Sequence, residues 1–233
     1  MPPADSRPPL TPGTLYLVAT PIGNLEDITL RALRVLRECT VIAAEDTRRT
    51  GQLLKHFDLH KPLVSCFHFN EARRGDELLD RLRRGDTVAL VTDAGSPGIS
   101  DPGVRVVQRA LAAGLRVEAV PGPCALIAGL TISGLPTDEF HFVGFLPHKA
   151  GQRQRRLDHL RTVPGTLVFY VSPFRIERLL TELREVFPER QVVLARELTK
   201  KFEERRQGTP EELLATLRQR PLKGEFVVLV SPA

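Results

Sequence analysis

The residues best able to do chemistry gather in one stretch, Asp93-Ala-Gly-Ser-Pro-Gly-Ile-Ser-Asp-Pro-Gly103. Asp93, Ser96, Ser100 and Asp101 offer polar groups, and the glycines and prolines between them enforce a path. Gly reaches positive φ without a Cβ clash, and Pro fixes φ near about −65°. The run Thr87-Val-Ala-Leu-Val-Thr92 before it reads as a strand, and Val104, Val107 and Leu111 after it fall at helical spacing. A stiff loop at the carboxyl end of a strand is where open α/β sheets bind ligands, and small residues let a ligand approach the backbone. The loop's last residues also read as a helix start, with Ser100 or Asp101 capping and Pro102 at the first helical position. The stretch has neither the Gly-x-Gly-x-x-Gly of a dinucleotide site nor the Gly-x-x-x-x-Gly-Lys of a triphosphate site.

Three more polar clusters end predicted strands: Pro21-Ile-Gly-Asn24, Glu45-Asp-Thr-Arg-Arg-Thr50 and His68-Phe-Asn-Glu71. In a parallel sheet such ends share one edge, so the clusters are expected to converge on one cleft. Glu45 and Asp46 are candidates to take a proton or orient a substrate, with Arg48 and Arg49 beside them. They equally suit a helix N-terminus with Thr47 as its cap. His68 is the one imidazole at a strand end in this set, and a lone His is as much a structural residue as a catalytic one. No His, Asp or Glu set has metal-ligand spacing, and no Ser or Cys sits in a nucleophile elbow. His148-Lys-Ala-Gly-Gln-Arg-Gln-Arg-Arg156 runs on to His159 and Arg161 with only Asp158 to offset it. Lys149, Arg153, Arg155 and Arg156 there form the clearest basic patch, suited to RNA phosphates or to a solvated helix face. Lys200, Lys201, Arg205 and Arg206 are interleaved with Glu203 and Glu204 and carry less weight.

The elements that must hold these clusters follow an α/β rhythm. Strands at Leu15–Ala19, Val41–Ala44, Leu63–Phe67, Thr87–Thr92 and Val117–Val120 alternate with helical patterns, which predicts a mostly parallel sheet covered on both faces. The expected organisation is a disordered lead-in at 1–13, an N-terminal α/β domain at 14–122, a linker at 123–136 and a C-terminal α/β domain with a mixed sheet at 137–233. At 233 residues, 42% hydrophobic and 26% charged, the chain can bury a core in each domain. Its apolar runs are strand-length, so no membrane span is expected, and Met1 to Pro12 has no apolar signal core. Cys39, Cys66 and Cys124 are isolated among apolar neighbours and read as small buried side chains in a reducing, cytoplasmic setting. The net charge of +5 is a weak pointer to a polyanion.

Taken in order, seven motifs resemble the tetrapyrrole (class III) methylases and, within them, the branch that acts on small-subunit ribosomal RNA. They are Leu15-Tyr-Leu-Val-Ala-Thr-Pro-Ile-Gly-Asn-Leu25, Ala44-Glu-Asp-Thr-Arg48, Val91-Thr-Asp-Ala-Gly-Ser-Pro-Gly-Ile-Ser-Asp-Pro-Gly103, Val120-Pro-Gly-Pro123, Ser133-Gly-Leu-Pro136, Gly144-Phe-Leu-Pro147 and Arg196-Glu-Leu-Thr-Lys200. The resemblance implies S-adenosylmethionine as methyl donor and the ribose 2′-hydroxyl of a cytidine in the decoding region of 16S ribosomal RNA as acceptor. It implies a homodimer and a cofactor cleft between two α/β domains. By the same analogy Pro21, Asp93, Ala94, Gly95, Ser96, Pro97, Ser100, Cys124, Ala125, Tyr170 and Ala195 hold the cofactor. Asp46, Glu45 or His68 would take the proton, while Arg48, Arg49, Asn70, Glu71, the 148–161 patch and Lys200 meet RNA. One departure is Phe69, where relatives commonly carry a second His, so an obligatory role for that imidazole does not transfer.

Two other readings stay open on residues alone. A small-molecule methylase acting on a tetrapyrrole precursor would also welcome a basic surface, and a non-catalytic RNA-binding module would need no Gly/Pro loop. A conventional Rossmann methyltransferase would want Gly-x-Gly after the first strand, where this chain has Thr20-Pro-Ile-Gly23.

Overall fold

The computed structural model describes residues 8–67, 70–219 and 223–232, and the chain divides into two compact units, Met1–Cys124 and Ala125–Ala233. In the first, β1 (Thr14–Val18), β2 (Val41–Ala44), β3 (Leu63–Ser65), β4 (Val88–Val91) and β5 (Arg116–Val120) form a parallel sheet in the order β3-β2-β4-β1-β5. Between them run α1 (Leu30–Glu38), α2 (Thr47–His56), α3 (Glu71–Arg83) and α4 (Val104–Ala112). The inner strands β2 and β4 are apolar throughout because helices cover both faces, whereas the edge strand β5 carries Arg116 and Glu118. Successive residues point to opposite faces. Ile42, Ala44, Ala89 and Val91 pack with Val35, Leu36 and Leu54 of α1 and α2. Val41, Ala43, Val88 and Leu90 pack on the other side with Leu78, Leu82 and Val106 of α3 and α4.

This strand order determines where a ligand can enter. From β1 the chain crosses by α1 to β2 on one side, and from β4 it crosses by α4 to β5 on the other, while β1 and β4 are neighbours. The loops leaving these two strands therefore diverge, which opens a crevice at their carboxyl ends. Upstream of β1, the stretch read as a lead-in is packed from residue 8 on. Leu10 lies against the core under α1, Thr11 N–H donates to the Tyr16 hydroxyl at 2.9 Å, and Arg34 donates to the Pro8 carbonyl at 3.1 Å. Residues 1–7 lie outside the described residues.

The second unit has a mixed sheet of β6 (Phe140–Gly144), β7 (Thr166–Val171), β8 (Val192–Arg196), β9 (Glu204–Gly208) and β10 (Phe226–Val230), in the order β6-β7-β10-β8-β9. Only β6 and β7 run parallel. Its helices are α5 (Ala125–Ser133), α6 (Ala150–His159), α7 (Ile176–Val186) and α8 (Pro210–Gln219). β9, Glu-Arg-Arg-Gln-Gly, was read from its composition as a polar segment. It is an edge strand paired only with β8, and an edge tolerates charge where a central strand does not. Residues 123–136, read as a linker, contain α5, which buries Leu126 and Leu130. Gly129 lets α5 lie close to the sheet, because a Cβ there would stand 2.8 Å from Val227 Cγ1. Arg205 donates to the Ile132 and Ser133 carbonyls at 2.8 and 2.6 Å, which satisfies the end of α5.

No helix among the described residues is long and apolar enough to cross a membrane. The cysteines are free thiols, Cys39 and Cys66 buried and Cys124 half-buried. Burial pushes the Cys39 thiol up to about 11, so it stays protonated and inert.

Candidate functional site

The loop after β4 is anchored to its neighbours by backbone. Thr20 and Gly95 exchange N–H···O bonds of 2.9 Å in each direction, an isolated bridge between the turn after β1 and the loop. The Thr20 hydroxyl donates to the Thr92 carbonyl at 3.0 Å, and the Ser96 hydroxyl to the Pro123 carbonyl at 3.3 Å. Three strand-end turns are thereby fixed to one another. The helix start differs from the sequence expectation: α4 is capped by Gly103, and neither Ser100 nor Asp101 caps it. Gly103 sits at φ +129°, and a Cβ there would stand 2.9 Å from Leu90 Cδ2, so the chain can enter α4 only through a residue without a side chain. Pro102 then lies before the helix, where its carbonyl accepts from Gly98 N–H at 3.2 Å.

The acidic residues interlock across β2 and β4. Asp93 N–H donates to Glu45 Oε2 at 3.2 Å, Asp46 N–H donates to Asp93 Oδ1 at 3.1 Å, and Arg49 Nη1 lies 3.3 Å from Asp93 Oδ2. Burial raises the Glu45 carboxyl above its ordinary range despite the hydrogen bond from Asp93, and the Asp93 charge adds to the rise. Asp101 is affected more strongly: burial, then the charges of Glu45 and Asp93, push it up to about 7. Asp46 goes the other way. It caps α2 by accepting from Arg48 N–H at 2.8 Å, and Arg48 Nη2 closes on its other oxygen at 2.6 Å. Those bonds from Arg48 hold its carboxyl well below the usual carboxylate range, which makes it a poor proton acceptor. The helix cap is thus Asp46, not Thr47, and the base-like carboxylates are Glu45 and Asp101. Sequence reading named Asp101 as a polar group of the loop and a candidate helix cap, and gave it no part in proton transfer.

A cavity of about 350 Å³ opens beside this cluster, lined by Thr20, Pro21, Leu25, Arg49, Thr92 and Asp93 among others. That volume lies within the range of small-ligand sites. The Thr92 hydroxyl, buried at its wall, has no hydrogen-bond partner among the described residues. A buried hydroxyl without a partner is costly, which favours a ligand or water that supplies one. Asn70 serves the turn after β3, accepting from Phe67 N–H at 2.8 Å and donating to the Ser65 carbonyl at 3.2 Å. His68 and the side chain of Glu71 lie outside the described residues.

With this geometry in place, the comparisons decide the family. The model of the tetrapyrrole (corrin/porphyrin) methylases matches residues 14–214. The chain belongs to the tetrapyrrole methylase family. It is 50% identical over 225 residues to ribosomal RNA small subunit methyltransferase I of Pseudomonas aeruginosa, covering 95% of this chain and 80% of that one. To the protein of the same name in Halalkalibacterium halodurans it is 48% identical over 218 residues, covering 94% and 75%. Among solved structures, uroporphyrin-III C-methyl transferase from Thermus thermophilus, complexed with S-adenyl homocysteine, aligns with a TM-score of 0.64 at 24% identity over 94% of this chain and 97% of that one. That likeness is one of fold.

In this methylase the site residues suggested for the second unit fare unequally. Tyr170 on β7 is half-buried, and its hydroxyl accepts from Leu126 N–H at 2.9 Å, in the first turn of α5. Ala195 has no exposed surface, being held between β10 and β9, so it has nothing to offer a ligand. Arg153 needs a correction as well. Sequence placed it in the phosphate-facing patch, yet it is only 8% exposed, pairs with Glu182 at 2.6 Å and donates to the Pro147 and His148 carbonyls at 3.1 and 2.9 Å. Lys200 is bound by Glu197 and Glu225 at 2.9 Å each, so its charge is matched locally. Lys149 and Arg155 are exposed, and Arg156 lies 3.4 Å from the His141 ring.

Proposed function

We infer that this tetrapyrrole methylase transfers a methyl group from S-adenosylmethionine to small-subunit ribosomal RNA, at the ribose 2′-hydroxyl of a cytidine. The observation that carries the reading is the identity of about half of all residues, along 94–95% of the chain, with proteins named ribosomal RNA small subunit methyltransferase I. The fold neighbours that act on uroporphyrin are far more distant, at 24% identity. In the finer reading it works in the cytoplasm, as a homodimer, on the small ribosomal subunit.

The residues at the β1/β4 crevice suit the proposed cofactor. Bound there, S-adenosylmethionine supplies a methyl group on a positively charged sulfur. Asp93 lines the crevice beside Arg49, and burial, then the charges of Glu45 and Asp93, raise Asp101, so the carboxylates around the crevice outnumber the one cation that balances them. A cationic ligand relieves that excess. Pro21, Asp93, Ala94, Gly95, Ser96, Pro97 and Ser100 form the proposed cradle, with Cys124 as a further contact. The stapled backbone holds that cradle before any ligand arrives, so that placement rather than metal-ion chemistry would carry most of the acceleration.

A ribose hydroxyl is a weak acid, and a base near its working pH removes the proton most effectively. Asp101 has that property, with Glu45 as the neighbouring charge that helps set it. Arg48, Arg49, Lys149, Arg155 and Arg156 are the cations proposed to meet RNA phosphates, and Asn70 and Glu71 are proposed to meet RNA with them. The test is transfer of labelled methyl from S-adenosylmethionine to assembled small subunits and to a uroporphyrinogen-type precursor in parallel. Label in the precursor alone refutes the reading.

A further inference from the structure

A second cluster in the Ala125–Ala233 unit centres on Phe174, Arg175 and Arg178, which have been given no role so far. α7 begins at Ile176 after the tight turn Ser172-Pro-Phe-Arg175, which Arg175 N–H closes onto the Ser172 carbonyl at 3.0 Å. The turn lifts Phe174 clear of the protein: it is 96% exposed, the most exposed large hydrophobic residue among the described residues. Leaving that ring exposed to water is unfavourable, and a lone aromatic at a turn apex among cations is the arrangement on which nucleic-acid bases stack.

The cations are in place around it. The Arg175 guanidinium lies within hydrogen-bonding distance of the His148 ring, and no carboxylate pairs with it among the described residues. Arg178, one turn into α7 and exposed, has no ion pair among the described residues. These groups rim a hollow of about 100 Å³ whose wall also includes Phe145, Tyr170 and Ser172. The hollow has room for a phosphate group. The α7 N-terminus opens there without a side-chain cap, adding donor N–H groups to the guanidinium charge. Beneath it, Arg153 fixes the geometry: its pair with Glu182 joins α6 to α7, and its bonds to the Pro147 and His148 carbonyls hold the segment that carries His148. The buried arginine is therefore a positioning residue for the exposed cations.

We propose that the His148, Arg175 and Arg178 cluster with Phe174 is a binding site for single-stranded RNA, taking one phosphate in the hollow and one unstacked base on the Phe174 ring. The inference rests on the RNA-methylating reading and extends it by naming a surface of the Ala125–Ala233 unit that grips the substrate. A duplex is a poor ligand because its bases present no free face to a protruding ring.

The test uses the full chain, a short fluorescein-labelled single-stranded RNA read by anisotropy, the same sequence as an unlabelled duplex competitor, and methyl transfer to assembled small subunits. Phe174→Ala and Arg178→Gln alter exposed side chains and leave the core intact. Each is expected to weaken single-strand binding about tenfold, within the range seen for losing one stacked base or one phosphate contact. Arg178→Gln should also lower the salt slope by about 1. Phe202→Ala, at another exposed ring 65% accessible, should change nothing, and S-adenosylmethionine affinity should hold in all three. The subunit KM should rise with kcat near that of the unaltered enzyme. If the two variants bind RNA as the unaltered chain does while that chain methylates subunits, the site is wrong and the functional reading stands. If the unaltered chain methylates no RNA but binding still depends on Phe174, the functional reading falls and the site stands. Equal competition by the duplex overturns the stacking. Weakened binding to subunits with unchanged binding to free RNA assigns the face to an acidic protein and overturns the proposal.

Discussion

Thr20 and Gly95 hold each other by both backbone groups, 2.9 Å in each direction, and so join the two loops that diverge from neighbouring strands. The bridge depends on Gly95 at φ +86°, where an L side chain is strained even though a Cβ would find only ordinary contact, 3.5 Å from Ile22. Gly95→Ala is expected to cost about 1–2 kcal/mol from the left-handed backbone alone. That corresponds to a fall in Tm of about 3–6 °C for a chain of this size. Because the strain is relieved by shifting the loop, S-adenosylmethionine affinity should drop further than stability does. Calorimetric titration beside a thermal melt checks this, and unchanged affinity would remove the loop from the cofactor site.

Asp101 supplies a pH dependence of definite sign. Its folded carboxyl keeps its proton up to about pH 7, whereas in the unfolded chain it releases it near about pH 4. Between those values the folded state binds more protons than the unfolded one, so this group's contribution to stability declines as pH rises through the window. Asp101→Asn should therefore match the unaltered chain at pH 4 and melt higher at pH 8. The same variant should lose most methyl transfer, and the unaltered enzyme's rate should climb as pH passes about 7. Melts and rates across that span test both, and a parallel pair of stability profiles would show that Asp101 titrates normally.

The parallel sheet and the stiff loop were legible because their signals are local. Runs such as Val41-Ile-Ala-Ala44 are apolar on both faces, and the glycines and prolines of residues 93–103 mark their own turns. What escaped depends on partners far along the chain. β9 is charged because β8 is its only neighbour, a fact of strand order that its five residues do not carry. Asp101 owes its shift to burial and to Glu45 and Asp93, and no spacing around residue 101 announces those. Arg153 did leave a local trace: it shares a helical stripe with the fully buried Leu157 and Leu160, which places it inward. Counting charge along α6 without asking which face each residue occupies hid that.

The Arg153–Glu182 pair gives a prediction about stability. Both side chains are largely buried, 10% and 16% exposed, and two nitrogens of the guanidinium meet the carboxylate at 2.6–2.9 Å. Glu182→Ala leaves a buried cation without its counter-charge and should cost about 3 kcal/mol or more, because the loss is the desolvation of Arg153 and not merely one hydrogen bond. Arg153→Met combined with Glu182→Met should recover most of that, since an apolar pair of similar volume needs no charge balance. Urea unfolding of the single and double variants measures the coupling. Additive losses would mean the pair is solvated enough to act as two separate surface charges.

Tyr170 tests what holds the start of α5. Its hydroxyl accepts from Leu126 N–H at 2.9 Å, and its ring meets Phe142 and Phe145 edge to face at centroid distances of 5.0 and 5.7 Å. Tyr170→Phe keeps those ring contacts and removes only the acceptor, leaving the N–H in the first turn of α5 unpaired. A stability loss of about 1 kcal/mol is expected from one such bond. Tyr170→Ala also removes the ring contacts and should cost more than Tyr170→Phe. Thermal melts of the two variants beside the unaltered chain check the order, and equal melting of Tyr170→Phe and the unaltered chain would show that the hydroxyl does not hold the helix.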